Sequence, residues 1–410
     1  NLKVTTLPDQ NRLFTQMKGK TIGVSIKDRG AIFPSGHTAN GAYWFEGQDE
    51  GKWVTSTYYM DELPVWVKAF NTPSNIANYL KTWNTLYDID LYKESGSDAS
   101  NYEKTFKGKS EPVFPYDLKA LMEFNDGYDI IKNSPFGNTM ITDFALSAIE
   151  AEALGVDEYT DFLTVSYSST DYVGHDFGVN SVELQDTYLR LDLEIERMLN
   201  YLDANVGNGN YTLFLTSDHG AAEVPSFLSD IDAPGGYVQK NMFEPLYAQL
   251  KAKYGVPDMI KNISNSQVFL NHDRIAALQL NLEDVQEFIV NEIINYTSIS
   301  KAFTAVTMQT SYFKDGMEKI LQNGYNQKLS GDVLFTLKSG VIAYGPKGTT
   351  HGSGYTYDTH VPLLFYGSGI QQGKTFKRTT VSDIAPTISA LLGIAFPSGS
   401  TGTIIEKAIY

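Results

Sequence analysis

The 410 residues contain no cysteine. Disulfide frameworks, thiolate metal sites and a cysteine nucleophile are therefore excluded. No run approaches the roughly 20 apolar residues that cross a bilayer as a helix, so no membrane span is expected. Positive charge is also scarce, with Lys+Arg 32 against Asp+Glu 48 and a formal net charge of -16. Such a surface opposes a phosphate backbone, which argues against a nucleic acid polymer as partner and requires a local cationic site for any acidic substrate. The chain opens Asn1-Leu2-Lys3-Val4 rather than with Met and a signal sequence, and the expectation is that an upstream section has been removed. What remains is globular in composition, 42% hydrophobic and 20% charged. Its length suits two or three domains, or one large α/β domain with insertions.

Apolar and turn residues alternate in a βα rhythm. A helix is expected over 8–17, a strand over Thr21-Ile22-Gly23-Val24-Ser25-Ile26, a hairpin from 42–45 and 53–59, and an irregular surface stretch over 94–110. A helix over 138–154, a strand over 161–167, a helix over 182–202 and a strand over 211–216 follow. Between 259 and 342 the pattern reads strand (267–270), helix (282–294), strand (301–306), helix (312–321) and strand (331–337). A strand over 361–366 and a helix over 382–392, with Ser382 and Asp383 as N-cap candidates, return to the βα pattern. The fold class expected is α/β, a mostly parallel central sheet with helices on both faces. The core is assigned to 1–40, 136–255 and 346–410, an insertion to 41–135, and a small α+β subdomain to 256–345.

In such sheets the binding crevice lies at the carboxyl ends of the strands, and the polar clusters of the sequence fall there. Histidine is limited to 6 residues, His37, His175, His219, His272, His351 and His360. Asp171 and His175 are four apart, so one helical turn brings them to one side. Asp218 and His219 are adjacent and need a loop to face one crevice; Gly220 supplies it. His351 lies between Gly348-Thr349-Thr350 and Gly352-Ser353-Gly354, a setting suited to a long-range ligand. Any one such pair is commonly a turn or cap, but three together argue for shared cations. Mixed Asp/His ligation without sulfur suits Zn²⁺, and Mn²⁺ less well, whereas Ca²⁺ and Mg²⁺ favour all-oxygen sites. His37, His272 and His360 lack comparable company and are read as capping or packing residues.

Lys27 and Arg29 are two apart at a strand end. In extended geometry both side chains point the same way, as a clamp for a dianionic phosphoryl group. The bland alternative, two solvated surface charges, competes on this segment alone.

Asp171-Tyr172-Val173-Gly174-His175, Thr216-Ser217-Asp218-His219-Gly220, Thr350-His351-Gly352 and Asp383-Ile384-Ala385-Pro386-Thr387 together resemble the alkaline phosphatase superfamily. Ile26-Lys27-Asp28-Arg29-Gly30-Ala31-Ile32, Gly41-Ala42-Tyr43-Trp44-Phe45 and Ser168-Ser169-Thr170 before Asp171 resemble its bacterial phosphate-irrepressible periplasmic branch. These are relatives of nucleotide pyrophosphatase/phosphodiesterases, and the similarity runs over essentially the whole chain. The resemblance implies two Zn²⁺, one held by Asp171, His175 and His351, the other by Asp218, His219 and a further aspartate. It also implies a threonine nucleophile, an asparagine on the phosphate, and Lys27 and Arg29 on its nonbridging oxygens. In the family that aspartate, threonine and asparagine precede the Lys/Arg segment; only 26 residues precede Lys27 and none matches. The nucleophile is thus expected upstream of this chain, and Ser35 and Thr38 in Phe33-Pro34-Ser35-Gly36-His37-Thr38 are read as loop residues.

The expectation is a zinc-dependent phosphomonoesterase that hydrolyses small phosphorylated substrates through a covalent phosphoenzyme, in a periplasmic or secreted protein. The isolated 410 residues are expected to hold zinc better at Asp171/His175/His351 than at Asp218/His219 and to turn over little substrate. The rival readings are phosphodiester or nucleotide pyrophosphate hydrolysis, and a metal-binding protein without catalysis.

Overall fold

Strand Thr21–Ser25 is buried along its whole length, as expected of a strand covered on both faces. In the computed structural model, which describes residues 2–409, it runs parallel to Gly41–Glu46 on one side and to Phe162–Ser166 on the other. Lys52–Val54 adds an antiparallel edge to Gly41–Glu46. Gly41–Glu46 is therefore an integral strand of this sheet, where the sequence reading assigned 41–135 to an insertion. Helix Asp28–Ser35 makes the crossover between the first two strands and ends at Gly36, whose φ of 80° suits glycine. A Cβ there would lie 2.2 Å from Thr6 Oγ1.

Helix Pro135–Ala151 buries Met140, Ile141, Phe144, Ala145 and Ala148, the i, i+1, i+4, i+5, i+8 spacing of one face. Phe144 stacks on Trp53 with centroids 4.0 Å apart, and Tyr43, Trp66 and Phe70 pack round the pair. Helix Val182–Leu202 buries the polar Glu183, Asp186 and Thr187. Asp186 accepts from Trp83 Nε1 at 2.7 Å, from Leu86 N at 2.6 Å and from Arg190 Nε at 2.7 Å, so its buried charge is paired. Strands Thr212–Thr216 and Leu363–Gly367 form an antiparallel ladder, where a continued parallel βα pattern was expected. Helix Ile384–Leu392 covers Leu363 and Phe365 through Ile384 and Ile388. The capping box that leads into it pairs Thr380 with Asp383 rather than using Ser382.

These elements form one compact unit, 2–217 with 362–409; Asp218–Val361 form a second. The second unit is wider than the 256–345 subdomain of the sequence reading. It holds a four-stranded antiparallel sheet in the order Ile299–Thr304, Val333–Leu337, Gln267–Leu270, Ile260–Ser264. Helix Leu282–Ile293 turns Val285, Ile289 and Ile293 into that core. The helix expected over 312–321 begins only at Gly316.

One buried group in the first unit carries a pH signature. Glu183 is fully buried and accepts from Tyr116 Oη. Burial, with the charges of Asp98 and Asp186, pushes its carboxyl up to about 8 from 4.5. Between these values the folded chain keeps a proton that the unfolded chain releases, so stability falls as pH rises through that window and levels off above it. Glu183→Gln is expected to flatten this segment of the pH–Tm profile and to melt above wild type at pH 9, as read by circular dichroism.

Candidate active site

In the first unit the site begins where two parallel neighbours end. Strand Thr21–Ser25 runs into helix Asp28–Ser35 with Lys27 at its N-cap, and strand Phe162–Ser166 runs into helix Ser169–Phe177. Three hydroxyls join the two strand ends: Ser168 Oγ lies 2.9 Å from Ser25 Oγ and 3.0 Å from Ser166 Oγ. The N–H of Lys27 donates to Ser25 Oγ at 3.0 Å, which fixes the backbone from which the lysine departs. Helix Ser169–Phe177 buries Ser169, Val173, Gly174 and Phe177. Asp171 and His175 fall beside that face, with His175 Nε2 at 3.3 Å from Asp171 Oδ1. The other oxygen, Asp171 Oδ2, accepts from the Lys27 ammonium.

Arg29 departs from the sequence reading. The helix begins at Asp28, so Lys27 and Arg29 are not alternate residues of a strand, and extended geometry does not aim them together. Lys27 is directed to Asp171. The Arg29 side chain is 77% exposed, with Nε 4.0 Å from Asp28 Oδ1.

The second unit gathers Asp218, His219 and His351. His219 Nδ1 lies 2.8 Å from the carbonyl of Gly220. A carbonyl only accepts, so Nδ1 carries a proton in this contact. Nε2 lies 3.5 Å from Asp218 Oδ2. The His351 ring stacks on that of His219, centroids 3.3 Å apart and planes within 10°. The sequence reading separated these two histidines; the fold places them face to face.

Backbone pairing holds the two segments together. Ala222 N donates to Thr350 O at 3.1 Å, and Thr349 Oγ1 donates to Ala222 O at 2.6 Å. Asp358, which sequence reasoning missed, organises the loop that carries His351. Its Oδ2 accepts from Gly352 N at 3.1 Å and Ser353 N at 2.6 Å, and its carbonyl accepts from Gly220 N. No local pattern marks this residue, because its partners are backbone groups brought in by the fold. Asp358→Ala leaves those N–H groups without their acceptor and is expected to destabilise the protein by about 1–3 kcal/mol, measured by urea unfolding, with a lower content of bound metal.

His37 Nε2 meets the carbonyl of Val4 at 3.0 Å, and His272 pairs with Asp332 at 2.7 Å. His360 caps helix Thr356–Thr359. Ser35 Oγ donates to Ala31 O at 2.7 Å, and Thr38 Oγ1 to Asp9 Oδ1 at 2.8 Å. Both hydroxyls serve the local backbone or a helix cap.

Residues 30–361 match the family model of type I phosphodiesterase / nucleotide pyrophosphatase, and the chain belongs to that family. Alkaline phosphatase PafA of Elizabethkingia meningoseptica is 42% identical over 100% of this chain and 75% of its own length. Its crystal structure superposes with a TM-score of 0.95 over 100% of this chain and 78% of that one. Alkaline phosphatase PhoV of Synechococcus elongatus is 43% identical, covering 100% of this chain and 74% of its own. A protein named calcium-transporting ATPase from Myroides odoratus is 46% identical over 100% and 75% of the two chains. The expected α/β class with a mostly parallel central sheet stands with the match to PafA. No helix among the described residues is long and apolar enough to cross a membrane.

Proposed function

We propose that the protein is a zinc-dependent phosphomonoesterase of the alkaline phosphatase type. The observation that carries this reading is the meeting of the Lys27 ammonium with the Asp171–His175 pair at the carboxyl ends of two adjacent parallel strands. The similarity to two proteins named alkaline phosphatases, over 100% of this chain and about three quarters of theirs, supports it.

The donor chemistry fits a divalent metal. Asp171, His175, Asp218, His219 and His351 offer carboxylate oxygen and imidazole nitrogen without sulfur, the donor set of a zinc site. The closeness of His219 Nε2 to Asp218 Oδ2, at 3.5 Å, is consistent with two groups that share a cation. We assign these five residues as ligands of two Zn²⁺. When bound, the metal supplies Lewis-acid stabilisation of charge on the phosphoryl oxygens.

The chain's own groups orient the ligands and bind the phosphate. The Gly220 carbonyl holds His219 in the tautomer that presents Nε2. Lys27 keeps two of its three N–H donors for an incoming anion after one goes to Asp171. With Arg29 it binds the nonbridging phosphate oxygens and stabilises their charge during transfer, which favours the monoester dianion over a diester. The reading also places the protein outside the cytoplasm, periplasmic or secreted. It is tested by hydrolysis of a simple aryl phosphate in the zinc-loaded full-length protein, with the nucleophile present; no turnover above a His175→Ala control would remove it.

A further inference from the structure

The Lys27 ammonium has a second partner besides Asp171. Its Nζ lies 4.6 Å from the centroid of the Tyr172 ring, inside the range at which an aromatic face attracts a cation. We propose that Tyr172 is a positioning residue for Lys27, holding the ammonium against helix Ser169–Phe177 by its ring face and thereby setting discrimination for doubly charged phosphate monoesters.

This inference rests on the assignment of Lys27 to the phosphate. Asp171 and Tyr172 are consecutive on one helix, so the carboxylate and the ring form two walls fixed by a single rigid element. The side chain of Lys27 is 30% exposed, so its open side faces solvent, where an anion arrives. A flexible four-carbon stem ordinarily spreads its charge over many rotamers, and two walls reduce that freedom.

The chemistry of the second wall matters as much as its position. A second carboxylate would hold Lys27 tightly but cancel its charge and repel a phosphate dianion. A neutral ring holds the cation through its quadrupole and adds no negative charge, leaving more of the ammonium's field for the substrate.

The role of Tyr172 lies in the ring rather than the hydroxyl, and this separates it from simple packing. In the zinc-loaded full-length protein, Tyr172→Leu is expected to lower kcat/KM for an aryl phosphate monoester by about three- to tenfold, the size of a partly desolvated cation–π contact. Inhibition by inorganic phosphate should weaken by a similar factor, while hydrolysis of a methyl aryl phosphate diester changes less than about twofold. Tyr172→Phe should recover most of the loss. In a Lys27→Ala background, Tyr172→Leu should add nothing on the monoester. Tyr172→Met, of similar reach and flexible, repeats the test if the leucine variant folds poorly.

Equal losses on monoester and diester, or the same loss with Lys27 already removed, would overturn the inference. If Lys27→Ala weakens phosphate inhibition but neither Tyr172→Leu nor Tyr172→Met does, the inference falls and the assignment of Lys27 stands. If Lys27→Ala leaves phosphate inhibition unchanged, both fall.

Discussion

Removing divalent metal with a chelator is expected to lower aryl phosphate hydrolysis by at least about 10³-fold, with recovery on adding back Zn²⁺. The magnitude follows from several kcal/mol of charge stabilisation attributed to metal ions in phosphoryl transfer, at tenfold in rate for each 1.36 kcal/mol. His175→Ala and His219→Ala should each lower the zinc bound per chain, measured by elemental analysis, because each takes an imidazole from the proposed ligands. The His219 substitution has a second consequence. It also removes the ring that stacks on His351 at 3.3 Å, so the His351 loop should lose protection in hydrogen exchange. Unchanged zinc content in both variants would remove these two histidines from the ligand set.

Replacing Lys27 and Arg29 together with Ala is expected to lower kcat/KM for a monoester by about 10²–10⁴-fold, from two charge-assisted contacts to phosphate oxygens. Diester hydrolysis should fall much less, since a diester presents one negative charge fewer. The structure divides the two residues unequally. Lys27 is held by Asp171 and Tyr172, whereas Arg29 is largely exposed and weakly held. Lys27→Ala should therefore release the Asp171 carboxylate and disturb metal content slightly, while Arg29→Ala leaves it unchanged. Steady-state kinetics on both substrates, with metal analysis of each variant, separates these effects. Equal losses on the two substrates would make the pair general binding or structural groups.

The parts of this arrangement legible in the sequence are those written in local periodicity. Asp171 and His175 at i and i+4 meet on one helical turn, as spacing alone requires. Helix Val182–Leu202 and strand Thr21–Ser25 lie where apolar period and alternation place them. What failed depended on neighbours distant in the chain. Gly41–Glu46 carries a strong hairpin pattern toward Lys52–Val54, which hid its parallel pairing to Thr21–Ser25. Leu363–Gly367 has no feature that separates a parallel from an antiparallel partner, and it pairs antiparallel with Thr212–Thr216.

Local chemistry misled in two further places. Lys27, the N-cap, is not a capping residue type, and Asp28, which is one, falls at the first helical position instead, so the turn was read as strand and the side-chain directions came out wrong. Strand Ile260–Ser264 was missed because Lys261 and Asn262 break its apolar pattern. Its signal was the two-residue turn Asn265-Ser266, both at positive φ (49° and 57°), a hairpin geometry asparagine accepts. The pairing of His219 with His351 could not be read from the sequence at all, because 132 positions separate them and the backbone bonds from Ala222 to Thr349 and Thr350 bring them together.

The central claim is that this site recognises a phosphoryl group carrying two negative charges. Its most direct measurement is the ratio of kcat/KM for an aryl phosphate monoester to that for the corresponding methyl aryl phosphate diester, taken with the same zinc-loaded full-length protein at one pH. The account predicts that the monoester is preferred by at least about 10²-fold, the contribution of a cationic contact to the second charge. A diester hydrolysed as fast as the monoester, or faster, would contradict it and make the protein a phosphodiesterase.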